Sequence, residues 1–175
     1  MFNPFRWLDG ILLGTAQKLC DKTQRVIGLT KFTFEKWAVI LSVLFHWGTY
    51  FFSPVLALVV PLLMYATGGA FLVRSIERKE AEFLKNGNFV QPFFDMPVRV
   101  AILIGIGSLA TVNFVSADFG NNVLSYGQIS YIACAYFDAC IPRPPSKSKV
   151  RELYEKGLWW LNDKLQPAPL PETNQ

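Results

Sequence analysis

The chain has one histidine, three cysteines and, from Trp37 to Val73, no Asp, Glu, Lys or Arg at all. Each shortage excludes something. His46 stands alone, and Cys20, Cys134 and Cys140 contain no CxxC pair, which argues against a zinc site and against a disulfide framework. No GxSxG precedes a helix, so nothing supports a serine hydrolase. Gly105-Ile-Gly107 has no following Gly-Lys and no strand before it, so it is not a phosphate loop. No carboxylates are paired for general acid–base work. The expectation is a non-enzyme with no catalytic residues, no cofactor and no metal.

The uncharged run itself is the main positive signal. A second run, Val100 to Phe137, is broken only by Asp118. About 18 or more apolar residues suffice to cross a bilayer. As one helix the first run would reach roughly 55 Å, far beyond a hydrocarbon core of about 30 Å. Each run is therefore read as a hairpin of two crossings. The 17 Lys and Arg agree: six lie in 1–36, five in 74–99 and six in 138–175. Two hairpins put every one of them on one side, as the positive-inside rule prefers. The expected fold is an all-α integral membrane protein with about four transmembrane helices, both termini on the cytoplasmic or matrix side, and amphipathic interfacial helices at both ends.

In chain order, 1–36 is an N-terminal amphipathic helix and a polar connector. Phe5, Leu8, Ile11, Leu12, Thr15 and Leu19 follow helical spacing, with Asp9, Gln17 and Asp21 largely away from them. The stripe suits a membrane surface or the rest of the protein equally. Residues 37–85 form the first hairpin and a charged helical stalk. Trp37 begins it at the interface, Ser53-Pro54 breaks it, Pro61 should kink its second helix, and Asn86-Gly87 ends it. Residues 86–99 are an aromatic and proline loop whose Phe89, Phe93, Phe94 and Met96 suit the interface. Asp95 is expected to cap the next helix. Residues 100–137 form the second hairpin, turning at 118–122, and its polar last helix, about 123–137, should lie inside a bundle or at a subunit interface. A proline-rich turn and an amphipathic helix fill 138–165, and 166–175 is a tail.

The site candidates are modest. His46, Asn113 and Asp118 are the possible intramembrane polar site, since an ionisable group within a span is a functional hypothesis by default. The ordinary role for His46 is a hydrogen bond to a backbone carbonyl or to Tyr50. Asp118 reads as a turn residue. Ala66, Gly69, Ala70, Gly105 and Gly107 are read as helix-packing positions. Trp7, Trp37, Trp159 and Trp160 are read as membrane-surface or partner contacts. Cys140, near Arg143, is read as a buried or interfacial thiol. The expected partners are membrane lipids, including anionic headgroups, and other membrane subunits; no nucleic acid is expected.

In topology the chain resembles the reticulon type of membrane-shaping protein. Its runs 37–73 and 100–137 followed by the helix 147–165 match two hydrophobic hairpins and a terminal amphipathic helix. The segment between the hairpins, 74–99, is shorter than that family leads one to expect. The resemblance implies membrane shaping as an alternative function. The leading expectation is a non-catalytic subunit that anchors or scaffolds a larger membrane complex, of a secretion, respiratory or ATP synthase-like kind. A small transporter or proton-conducting subunit using His46 and Asp118 is a further alternative.

Overall fold

The computed structural model describes residues 4–52, 59–87, 91–116, 118–144 and 148–165, with backbone alone for 51–52 and 159–165. Among them are six helices and no strand: α1 (Pro4–Ile27), α2 (Lys31–Phe52), α3 (Val59–Asn86), α4 (Met96–Val115), α5 (Phe119–Ala139) and α6 (Lys149–Leu165).

The helix ends follow local chemistry. Gly28 closes α1 at φ +84°, donating its amide to the carbonyls of Thr23 and Gln24, so the helix runs to Ile27. Thr30 heads α2: its Oγ1 accepts the Thr33 amide at 3.4 Å. Gly87 ends α3 at φ +67°, as Asn86-Gly87 predicts. Asp95 occupies the N-cap position of α4 without a side-chain bond to the helix. Asp118 does the same for α5, which begins at Phe119, so 119–122 are helix rather than turn. Ser148 caps α6, its Oγ accepting the Arg151 amide at 3.2 Å. Pro61 lies near the start of the described part of α3. Ser53-Pro54 lies outside the described residues.

Four helices pack in the spatial order α3, α2, α5, α4, with the α2–α5 seam the most extensive. Partners along the seam run in opposite directions. Phe34 meets Phe137, Ser42 donates to the Gly127 carbonyl, and a Cβ on Gly127 would touch His46. The α2–α3 pair is also antiparallel: Lys36 binds Glu80, and Gly69 sits against Val39 and Val43. So is α4–α5, whose contacts run from Asn121 on Ser116 to Ile132 beside Gly107. The polar helix α5 thus lies between α2 and α4. The α3 stalk is not freely solvated: Ile76 and Phe83 are buried with Phe32, Ala38, Val39 and Cys134.

Two helices, α3 and α4, are long and apolar enough to cross a membrane, and little of either is covered. Met64, Phe71, Ile104, Leu109 and Val112 all point outward. α2 carries Lys31, Glu35 and Lys36 in its first turns, and α5 carries polar side chains along its length. α1 lies across α5, α4 and α2, and α6 rests on α1. α1 is turned inside out for a water-exposed helix. Its buried residues are Asp9, Cys20 and Gln24, whereas Leu8, Ile11, Leu19 and Val26 are exposed. Much of the apolar stripe therefore looks outward, and Asp9, Cys20 and Gln24 are on the face that docks.

Candidate functional site

The most concentrated chemistry lies where the start of α2, the stalk of α3, the loop before α4 and the end of α5 meet. Its centre is Asp138, fully buried. One carboxylate oxygen accepts Lys79 Nζ at 2.7 Å, and the other accepts the Phe94 amide at 2.8 Å. The Asp138 carbonyl accepts Lys31 Nζ at 2.8 Å. Three otherwise separate segments are thereby tied to the last turn of α5. A buried carboxylate needs such pairing, because an unpaired charge in the interior is very costly. Burial pushes the Lys31 ammonium below its usual range, against the pull of Glu35 and Asp138.

Glu35 stands one turn along α2 from Lys31, only 3% exposed, and its Oε2 has no hydrogen-bond partner. Burial first, and the Asp138 charge second, push its carboxyl up to about 8. Lys36, the next residue, points to Glu80 instead, at 2.8 Å. Beside this cluster a second buried ion pair fixes α1. Arg99 donates from Nη2 and Nε to the two Asp9 oxygens at 2.9 and 3.2 Å, and from Nη1 to the Phe94 carbonyl at 2.9 Å. The fork geometry is what arginine offers and lysine does not. The lower part of α1 is held by polar bonds to the chain after α5. Gln17 exchanges two bonds with Ile141, Gln24 donates to the Arg143 and Pro144 carbonyls, and Asp21 pairs with Arg143.

Further along the seam is a smaller, neutral cluster. His46 Nδ1 is 2.7 Å from the Ser42 carbonyl, the ordinary role expected of it, rather than bonded to Tyr50. Since a carbonyl only accepts, Nδ1 carries the proton and Nε2 is the basic nitrogen. The ring stacks on Tyr65 at 4.3 Å, and Tyr65 shares a 2.7 Å bond with Ser42. Gly127 makes room for it: a Cβ there would be 2.6 Å from Nδ1.

His46, Asn113 and Asp118 do not form one site. Asn113 bonds to Gln128 at 3.3 Å between α4 and α5, and Asp118 is exposed at the head of α5. Of the packing residues, Gly69 is buried against Val43 and Gly107 faces Ile132, while Ala66 is half-buried and Ala70 and Gly105 look outward. Trp7 and Trp37 are exposed. The side chains of Trp159 and Trp160 lie outside the described residues, as does Phe89. Phe94, placed at the interface by sequence, is instead buried, edge-on to Tyr131. Cys140 is buried against α1, in contact with Cys20. Among the described residues no group of His, Cys, Asp and Glu is arranged to hold a metal.

Sequence reasoning missed Asp138, Glu35 and the Asp9–Arg99 pair. Asp138 had one visible signal: it ends a run with no other acid since Asp118. The ion pair had none, since 90 residues separate its members. Comparison with protein-family models, with curated proteins and with solved structures finds no match.

Proposed function

We propose that this chain is a non-catalytic integral membrane subunit, crossing the bilayer four times in two hairpins and anchoring or scaffolding a larger membrane complex. The observation that carries the reading is the reversed polarity of the molecule. Apolar side chains of α1, α3 and α4 face outward, and the carboxylates Asp9, Glu35 and Asp138 are buried. In water such an arrangement would leave a large apolar surface exposed. In a bilayer it places apolar residues in lipid and satisfies polar groups inside. On this reading α2 and α5 complete the hairpins, and the charged cluster lies at the cytoplasmic or matrix edge with both termini.

Support for a subunit role comes from surfaces left without a partner. The outward face of α4 includes Ala101, Gly105 and Ser108, small residues that permit close approach of another helix. α6 exposes Val150, Leu153, Tyr154 and Leu158. Purification in a mild detergent should bring defined membrane subunits along with the chain. Recovery of a free monomer with none would overturn the subunit role.

Membrane shaping is the second reading, favoured by the outward apolar faces of α1 and α6, two interfacial helices in contact with each other. Pure protein added to liposomes would then form tubules, and deletion of 148–165 would weaken this. Proton conduction through His46 and Asp118 has less support, because the two are not joined by any hydrogen bond among the described residues.

A further inference from the structure

We propose that Glu35 is a proton-binding site at the charged end of the bundle, holding its proton at neutral pH beside the Asp138 carboxylate. Every strong donor in the cluster is directed at Asp138. Lys79 Nζ and the Phe94 amide occupy its two carboxylate oxygens, and Lys31 Nζ occupies its carbonyl. None of them reaches Glu35, whose Oε2 is buried without a partner. A carboxylate only 3% exposed, with an oxygen left without any partner, is very costly, and such a group keeps its proton instead. Asp138 is already the acceptor at both oxygens, so the proton belongs to Glu35. The charged and titratable groups around it are Lys31 on α2, Lys79 on α3, and Cys134 and Asp138 on α5, with Cys140 beyond Lys31; Lys36 and Glu80 are paired to one another.

Loss of this proton would place two carboxylates side by side. The Glu35 anion would then compete for Lys79 and Lys31, which tie α3 and α2 to the end of α5. The site therefore couples proton binding to the clamp that gathers these segments, and it needs no partner subunit to do so. Glu35 lies ahead of the apolar part of α2, so its proton exchanges with the aqueous phase on the charged side.

Infrared difference spectroscopy of the full chain in lipid vesicles, titrated with pH, tests this. The expected result is a protonated-carboxyl band present at neutral pH that disappears as pH rises through about 8. It should be absent in Glu35→Gln, and shifted in the wild type by isotope labelling of glutamate but not of aspartate. The wild-type labelling experiment keeps the test decisive if Glu35→Gln does not fold. No protonated carboxyl at neutral pH, or a band that moves with aspartate labelling instead, would overturn the assignment.

Discussion

The two ends of the helix array are built from different bonds. At one end Asp138, Lys79, Lys31, Asp9 and Arg99 join five segments through buried charges. At the other, Asn113 meets Gln128 at 3.3 Å, Asn121 donates to Ser116 at 2.8 Å, and Ser125 donates to the Ala110 carbonyl at 3.1 Å, all neutral groups. Charged hydrogen bonds are stronger, but charges are costly to carry through hydrocarbon. On the membrane reading proposed above, clamping with charge at an end beside water, and with neutral groups at the end that crosses, satisfies both constraints. The difference teaches that the polarity of this bundle is graded along its axis, not only from inside to outside.

The comparison is broken most severely at Asp138. Asp138→Ala strands Lys79 and the Phe94 amide, and should cost about 3–5 kcal/mol, the usual penalty for removing one partner of a buried pair. Unfolding in mild detergent by graded denaturant measures it; a loss under about 1 kcal/mol would show that the clamp is not a major support.

Glu35 sharpens the comparison through pH. Its folded carboxyl lies at about 8, above the unfolded value of 4.5, so the folded state binds the extra proton between those values. Its contribution to stability is full below pH 4.5 and is lost as pH rises to about 8, levelling off above that. Glu35→Gln should remove this part of the slope. Denaturant midpoints measured across the window check it, and a slope unchanged in the variant would contradict it.

The middle of the seam is tested by Gly127→Ala. The added methyl meets His46 Nδ1 at 2.6 Å and Phe45 Cβ at 3.1 Å, so α2 and α5 must part. Overpacking of this kind costs about 1–3 kcal/mol. The smallest effect belongs to the far end. Asn113→Ala removes one long neutral bond between α4 and α5, and should cost about 0.6 kcal/mol, the average for such bonds between membrane helices. A loss equal to that of Asp138→Ala would erase the distinction between the ends.

The helices were largely legible because their signals are local. Asn86-Gly87 stops α3, the apolar runs mark α3 and α4, and the polar composition of α5 foretells its place between two helices. α1 was half legible: spacing revealed the stripe, but which side docks depends on Arg99, far away in sequence. The apolar run alone marks Trp37 as the start of α2. The helix starts six residues earlier because Lys31 and Glu35 find buried partners or a proton instead of water. The candidate site was hidden for the same reason. Nothing local to Asp138 announces that Lys79 and the Phe94 amide converge on it.

The central claim is that apolar outward faces sit in lipid and that the charged end lies on one side. Single-cysteine labelling with a membrane-impermeant maleimide in sealed vesicles addresses it directly, since the native cysteines are buried. Lys85→Cys should label from one side, Asp118→Cys only from the other, and Phe71→Cys and Ile104→Cys, though exposed on the protein surface, from neither. Ready labelling of Phe71→Cys and Ile104→Cys by the water-borne reagent, or labelling of Lys85→Cys and Asp118→Cys from the same side, would contradict it.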